Sequence, residues 1–140
     1  MTRVLIPFTD PESAERAVRK LLDEAPSPAL EVELLAVVEP LVSGKVRVFL
    51  SPERAEGLAR AAAKRWLARI EALLDAANIR HRSEIAVGRP SAVIDAALRR
   101  PNVDRVLLPV RRSRWLSAAT AAERSAELTR TAHHPVTVVP

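Results

Sequence analysis

The stretch 3-RVLIPFTDPESAERAVRKLL-22 contains the pattern on which the fold prediction depends. It begins with Arg3–Phe8, a short apolar run without a helical period, which is typical of a buried strand. Asp10, Pro11 and Glu12 then supply an N-cap, a proline at the first helical position and an acid in the first turn. The apolar residues that follow recur at helical spacing and predict one buried helix face: Ala14, Ala17, Val18, Leu21 and Leu22.

The same succession of strand and helix continues to the last residues. Further strands are predicted at Glu31–Val38, Asp104–Val110 and Val136–Val139, which are apolar runs, and at Arg80–Val87. Helices are predicted between them: a long one opening at Ser51-Pro52-Glu53, a short one over Ser91–Arg99 and a last one over about Ala118–Ala132. The predicted apolar stripe of the long helix consists of Leu58, Ala62, Trp66, Ile70, Leu73 and Ala77.

Strands that are nearly all apolar and that alternate with helices indicate the fold class. Such strands are buried on both faces, as in a parallel, doubly wound sheet. Right-handed crossovers then place helices on both sides of the sheet. The sequence therefore predicts an α/β protein with a five-stranded parallel sheet in a three-layer α/β/α arrangement. It contains no repeat and no long linker, so residues 1–140 are predicted to form a single domain.

Composition excludes several classes of protein. The chain has 140 residues, of which 48% are apolar, and it contains no cysteine. The lack of cysteine rules out disulfides, thiolate catalysis and cysteine-based metal sites, and it agrees with a reducing compartment. No apolar run approaches the roughly 18–20 residues that a membrane helix needs. Because the sequence begins directly with a strand-like run and no signal-peptide pattern, we expect a cytoplasmic protein without membrane insertion.

The basic charge raises the possibility of nucleic-acid binding. The formal net charge is +5, and arginine dominates, since Lys20, Lys45 and Lys64 are the lysines. A nucleic-acid site, however, needs cations on one face with aromatic or polar side chains among them. Aromatic residues make up only 3%, and the arginines are scattered beside glutamates on predicted helices. Solvated helix faces with surface ion pairs are the favoured interpretation, and nucleic-acid binding remains a third, weaker hypothesis.

In a doubly wound sheet the ligand site lies beyond the carboxyl ends of the strands, where the strand order reverses. The loops at this place are predicted to be Phe8–Pro11 and Pro109–Ser117. A phosphate cradle there needs glycines, which allow backbone N–H groups to approach the ligand closely. The glycines of the chain are Gly44, Gly57 and Gly88, and none belongs to either loop.

No catalytic motif is found either. His133 and His134 are adjacent, so on a helix they would point about 100° apart, and cations at a helix C-terminus explain them better than metal ligands. His81 stands alone on a predicted strand among charged neighbours. We therefore predict that the protein is not an enzyme and holds no metal.

Five segments together resemble the universal stress protein family along nearly the whole chain. They are VLIPFTDPESAERAV (4–18), LLAVVEP (34–40), VGRPSAVIDAA (87–97), DRVLLPV (104–110) and ERSAELTRTAHHPVTVVP (123–140). The G-x-P turn and the terminal strand, at their separation, are the more specific features. The resemblance implies a Rossmann-like, adenine nucleotide α-hydrolase-like sheet in the order 3-2-1-4-5. It also implies a homodimer, commonly formed through the C-terminal strand, here Val136–Val139.

Many members of this family bind ATP through the motif G-x-x-G, nine residues, then G-[ST]. Counted back from Pro135, the motif positions here hold Pro109, Arg112, Ala122 and Glu123, so the glycines and the hydroxyl are replaced. The family's acid at the end of the first strand is Thr9 here, and Asp10 is displaced into the helix cap. The chain thus resembles the branch without the nucleotide signature, and these positions would form a degenerate nucleotide site.

Two hypotheses of function follow. The first is a non-catalytic regulatory or interaction protein of the stress response, with an unknown protein partner and no bound cofactor. The alternative is a nucleotide-binding member, for ATP or AMP, that uses arginines in place of the glycines. Arg111, Arg112 and Arg114 are the candidates, because three cations within four residues of a loop before a helix favour an anion.

Overall fold

The computed structural model describes residues 1–39, 51–110, 118–132 and 134–140. Its strands are β1 (Thr2–Phe8), β2 (Leu30–Val38), β3 (Arg80–Val87), β4 (Arg105–Pro109) and β5 (Val136–Val139). Its helices are α1 (Pro11–Asp23), α2 (Pro52–Ala76), α3 (Pro90–Ala97) and α4 (Ala118–Thr131). Wherever the sequence predicted both ends of an element, the observed bounds lie within two residues of the predicted ones.

The strands form one parallel sheet in the order β3-β2-β1-β4-β5, which confirms the predicted architecture. Alternate residues of each strand point to opposite faces, as the pleat requires. On β1, Ile6 points into the core beneath α1 and α2, whereas Leu5 points into the core beneath α3 and α4. The sheet is therefore covered on both sides, and the chain forms a single three-layer α/β/α domain.

Both predicted N-caps are present. The Oδ1 atom of Asp10 accepts a hydrogen bond of 2.8 Å from the Ser13 backbone N–H, and its Oδ2 accepts one of 2.8 Å from the Ser13 hydroxyl. The Ser51 hydroxyl accepts a hydrogen bond of 3.2 Å from the Arg54 N–H. Each cap satisfies an N–H group that the first helical turn leaves without a partner, so the two helices begin where the sequence predicts.

The face of α2 that is buried differs from the predicted apolar stripe by a rotation of about one residue about the helix axis. The side chains buried against the sheet are Ala55, Ala63, Leu67, Ile70 and Leu74. Of the predicted stripe, Ile70 is buried, Trp66 and Leu73 are partly buried, and Leu58 is 53% exposed. Two alanines and three larger aliphatic side chains therefore face the sheet. Trp66 and Leu73, both partly buried, lie along the margin of the contact.

The predicted surface ion pairs form within helices and also between elements. Pairs four residues apart include Arg19 with Glu15 and Arg60 with Glu56, both at 3.1 Å. A pair of a different kind joins β4 to α1: Arg105 donates two hydrogen bonds to Glu24, of 2.6 and 3.0 Å. Two parallel bonds between a guanidinium and a carboxylate restrict geometry more than a single contact does. This bidentate pair therefore fixes the C-terminal end of α1 beside the sheet.

We expect the substitution Glu24→Gln to lower the free energy of unfolding by about 0.5–1 kcal/mol at about pH 7. The hydrogen bonds from Arg105 lower the pKa of Glu24 from its ordinary value of 4.5, although burial opposes them. Because the folded-state pKa is the lower one, the stabilisation is complete above the unfolded pKa and is lost as pH falls through the folded pKa. Urea unfolding of both proteins at about pH 7 and about pH 3 measures this loss.

The neighbouring substitution Asp23→Asn is the matched control. Asp23 is exposed on the same helical turn and has no ion pair within the described ranges. It should leave stability nearly unchanged at both pH values. A Glu24→Gln effect of the same size at low and neutral pH would contradict the role of the carboxylate charge.

The outer edge of β5 is hydrogen-bonded by α4. The backbone N–H of Val136 donates to the Thr129 hydroxyl at 2.9 Å, and the N–H of Val138 donates to the Ser125 hydroxyl at 2.8 Å. These two N–H groups point away from β4, since β5 bonds β4 through the carbonyls of Pro135 and Val139. The outward donors of β5 are thus already satisfied within the chain. The homodimer through the C-terminal strand stays a prediction, but these N–H groups do not require it.

Candidate functional site

A cleft of about 720 Å³ opens at the carboxyl edge of the sheet. One wall consists of residues at the ends of β1 and β2, and the opposite wall is a face of α2. Pro90, at the start of α3, closes one end. The lining residues are Thr9, Val37, Val38, Glu39, Leu58, Ala59, Ala62, Arg65, Trp66 and Pro90. The cleft lies beyond the carboxyl ends of β1 and β2, at the edge where open α/β sheets bind ligands, but not at the reversal of strand order, which lies between β1 and β4.

The chemistry of the cleft resembles that of a small-molecule site. Among the described residues its lining is mainly apolar, Thr9, Glu39 and Arg65 are polar or charged, and the indole N–H of Trp66 is a further hydrogen-bond donor. A volume of this size and an apolar lining with few polar groups are typical of small-molecule sites. The lining contains no histidine or cysteine, and the described residues form no cluster that could hold a metal ion.

The two predicted site residues at the end of β1, Thr9 and Asp10, lie in different environments. Thr9 lines the cleft, as expected for a site residue. Asp10 does not serve the cleft, because both of its carboxylate oxygens accept hydrogen bonds from Ser13 at the start of α1. A carboxylate used in this way stabilises the helix end and is not available to a ligand in the cleft. Of the two predicted residues, the structure brings only Thr9 to the cleft.

The predicted phosphate-binding positions do not form a cradle where the structure describes them. Pro109 is the buried last residue of β4 and has no N–H group to offer. Ala122 and Glu123 are exposed and lie beyond the first turn of α4, where backbone N–H groups bond within the helix. None of the three lines the cleft. The arginines Arg111, Arg112 and Arg114 lie outside the described residues.

Next to Pro109, Arg16 of α1 occupies backbone acceptors at the ends of β4 and β5. Its guanidinium donates hydrogen bonds of 2.8 Å to the Val110 carbonyl and 3.3 Å to the Pro140 carbonyl. It also donates to the Ser13 hydroxyl at 3.1 Å. Arg16 therefore joins α1 to the ends of β4 and β5. Its guanidinium stabilises the packing of these elements near the place where the strand order reverses.

The apolar face of α2 has a second environment that the sequence analysis did not anticipate. Leu58, Ala62 and Trp66 recur every four residues and were predicted as core, yet all three line the cleft. The prediction that Trp66 serves packing is confirmed, because its side chain is partly buried against the core. Periodicity finds an apolar face, but it does not distinguish a face against the sheet from one along a cleft.

The structure describes two of the histidines. His81 lies on β3 among charged neighbours, as predicted, and its Nε2 atom lies 2.6 Å from an Asp75 carboxylate oxygen, so it links β3 to the end of α2. His134 follows the end of α4 and is buried, and its Nε2 lies 3.3 Å from the Arg100 carbonyl. His133 lies outside the described residues. Neither His81 nor His134 lines the cleft.

The charge distribution agrees with the prediction of ion pairs. Several arginines pair with carboxylates on neighbouring elements or helical turns: Arg19, Arg60, Arg69, Arg82, Arg99, Arg100 and Arg105. Paired cations offer less charge to a phosphate backbone than free ones do. No helix in the described part of the chain is long and apolar enough to cross a membrane.

Comparison with known proteins places the chain in a family. A model of the universal stress protein family matches residues 1–140. No curated protein matches the chain significantly. Among solved structures, a universal stress protein family member from Burkholderia pseudomallei is 16% identical with a TM-score of 0.68, and the match covers 99% of this chain and 96% of that one.

Two further structures show the same fold at low identity. A universal stress protein family protein from Arabidopsis thaliana, solved with AMP bound, is 19% identical with a TM-score of 0.60, over 99% of this chain and 91% of that one. The universal stress protein from Lactobacillus plantarum is 16% identical with a TM-score of 0.56, over 99% and 97%. Because the family model matches the whole length of the sequence, this chain belongs to the universal stress protein family.

Proposed function

We propose that this protein is a non-catalytic, cytoplasmic binding protein of the stress response that does not bind ATP at a useful affinity. The observation that carries the proposal is the end of β4. In members of the family that bind ATP, backbone N–H groups of glycines at the end of the fourth strand and at the start of the last helix surround the phosphates. Here Pro109 lacks the N–H group, and Ala122 and Glu123 lie within α4.

The cleft supports the same proposal. Its apolar walls, including Val38 and Trp66, suit the body of a small molecule. Among the described lining residues, Arg65 is the basic side chain and Glu39 the acidic one. One arginine and one carboxylate are a poor match for a triphosphate, whose charge needs several donors or a metal. An uncharged or weakly charged ligand fits the described lining better than a triphosphate does.

Isothermal titration calorimetry with ATP and Mg²⁺ tests the proposal. We expect a dissociation constant weaker than about 10 μM, the value that corresponds to roughly −7 kcal/mol. AMP and adenosine are titrated in the same way, because a nucleoside without a triphosphate places fewer demands on the missing donors. An ATP dissociation constant at or below about 10 μM would show that other cations replace the glycines, and the proposal would fail.

A nucleotide-binding protein for AMP or ATP is the second candidate. The relative from Arabidopsis thaliana was solved with AMP bound, and the cleft here has the volume for such a ligand. In this case Thr9 and Arg65 would hold the polar part of the nucleotide, together with Arg111, Arg112 or Arg114. Tight binding of ATP or AMP, with affinity that falls steeply as salt is added, would favour this candidate.

The matched substitutions Ala62→Phe and Ala61→Phe locate any ligand that binds. Ala62 lines the cleft, whereas Ala61 is the next residue of α2 and is exposed outside it. A phenyl ring at position 62 fills the cleft, so we expect at least about a tenfold loss of affinity for a ligand held there. The same ring at position 61 should leave the affinity unchanged. Equal affinities for both variants would place the ligand elsewhere.

A further inference from the structure

The two edges of the sheet differ in their unused hydrogen-bonding groups. At the β5 edge, α4 satisfies the outward N–H groups. At the β3 edge, Gly88 donates to the Val38 carbonyl at 3.0 Å, so it faces β2, and by alternation the backbones of Ser83 and Ile85 face outward. Within the described ranges, the outward N–H groups of these two residues have no hydrogen-bond partner. The β3 edge is therefore the open edge.

The side chains next to this edge are self-complementary. Arg82 and Glu84 flank Ser83 and point to one face of the sheet, with side chains 69% and 56% exposed. If a second copy of β3 lies antiparallel with Ser83 opposite Ser83, a two-fold axis places Arg82 of each copy opposite Glu84 of the other. Directly opposed residues of this kind have Cα atoms about 4.5 Å apart and interact strongly.

Other registers lack this complementarity. Centring the pair on Glu84 would oppose two glutamates, and centring it on Arg82 would oppose two arginines; either arrangement is destabilising. Centring it on Ile85 would bring no opposite charges together. The outward backbone groups require an antiparallel register in which the two-fold axis passes through a residue and not between two residues. Among these registers, the charges select the one centred on Ser83.

Existing ion pairs extend the pattern. Arg82 Nε lies 3.1 Å from an oxygen of the buried Glu31, close enough for an ion pair but not aligned for a hydrogen bond. Glu84 lies 3.0 Å from an Arg100 nitrogen. Across the two-fold axis, charges would alternate in the order Glu31, Arg82, Glu84 and Arg100, the last two from the second copy. Networks of alternating charge gain more than isolated exposed pairs.

We propose that two copies of this chain pair through their β3 edges, antiparallel and centred on Ser83, to form a continuous ten-stranded sheet. The interaction is an extension of the sheet: backbone hydrogen bonds supply attraction, and the pairs of Arg82 with Glu84 fix the register. This is a different interface from the C-terminal strand that the family resemblance implies. The charges that protect an edge from unrelated strands here fit a second copy of the same strand.

Analytical ultracentrifugation of four samples tests the interface: the wild type, two variants and their mixture. Arg82→Glu gives a chain with two acids flanking Ser83, and Glu84→Arg gives a chain with two bases. Each variant alone would oppose like charges, so we expect its dimer dissociation constant to rise at least about tenfold over that of the wild type. An equimolar mixture of the two variants opposes acids to bases at both positions. We expect the mixture to dimerise as tightly as the wild type.

Recovery in the mixture separates an interface from misfolding, because a misfolded variant does not regain partners by mixing. Arg80→Glu is the matched control: Arg80 is exposed on the same face of β3, and in this register it meets Ala86, so the dimer should persist. The proposal is overturned if the wild type stays monomeric at about 100 μM, a concentration at which even weak dimers form. It is equally overturned if both variants dimerise like the wild type, which would favour the C-terminal strand.

Discussion

Leu74→Ala is expected to lower the free energy of unfolding by about 2–5 kcal/mol. The Leu74 side chain is 0% exposed and packs in the core between α2 and the sheet. Truncation removes apolar contacts and leaves a cavity that a close-packed interior fills only in part. Urea unfolding followed by circular dichroism gives the free energy directly, and the midpoint should fall without a large change in slope.

Leu58→Ala is the matched control for this experiment. It is the same substitution in the same helix, but Leu58 is 53% exposed and lines the cleft. We expect a change within about 0.5 kcal/mol, because surface substitutions away from special features cost little. Similar losses for the two variants would mean that α2 is rotated relative to the arrangement described above.

Ser125→Ala combined with Thr129→Val is expected to cost about 2–6 kcal/mol of unfolding free energy, since each of the two orphaned N–H groups costs about 1–3 kcal/mol. The Ser125 hydroxyl accepts from the Val138 N–H and donates to the Ala121 carbonyl at 2.7 Å. The Thr129 hydroxyl accepts from the Val136 N–H. Removing both hydroxyls leaves two outward N–H groups of β5 without partners beside buried valines.

Thr131→Val is the control for the loss of a threonine hydroxyl. Thr131 is exposed, and its hydroxyl donates at 3.1 Å to the Leu128 carbonyl within α4, away from the strand. Stability should change little. The double variant should also self-associate at high concentration in sedimentation experiments, because its β5 edge is then open. A double variant that is as stable and as monodisperse as the Thr131→Val chain would contradict the edge-covering role of the hydroxyls.

Local signals made the fold predictable. The strands β1, β2, β4 and β5 consist mainly of apolar residues, and the caps at Asp10 and Ser51 depend on residues within three positions of each other. Such short-range rules are visible in any single sequence. The order of the strands is a long-range property, which came from the family resemblance and is confirmed by the pairing of β1 with both β2 and β4.

The site was less predictable, for physical reasons. Thr9 was identified because the end of β1 lies at the edge where ligands bind. Trp66 and Leu58 were assigned to the core, yet both line the cleft. Hydrophobic spacing indicates that a helix has an apolar face, but it does not indicate whether the sheet or a cleft lies against that face. The hydroxyls of Ser125 and Thr129 lie four residues apart on α4, a spacing that places them on one helix face but is too common to predict bonds to a strand.

The unequal edges of the sheet also limit what kind of aggregate folded chains can build. Growth into a filament requires every subunit to join one neighbour on each side, so that a new attachment point appears whenever a unit is added. Among the described strands, β5 has its outward N–H groups bonded by α4, so the pairing proposed above uses the one remaining edge, that of β3. In that arrangement each subunit is joined once, and a third subunit finds no further open strand among the described residues. We therefore expect native sheets to stop growing at the pair, because the hydroxyls of α4 satisfy the other edge.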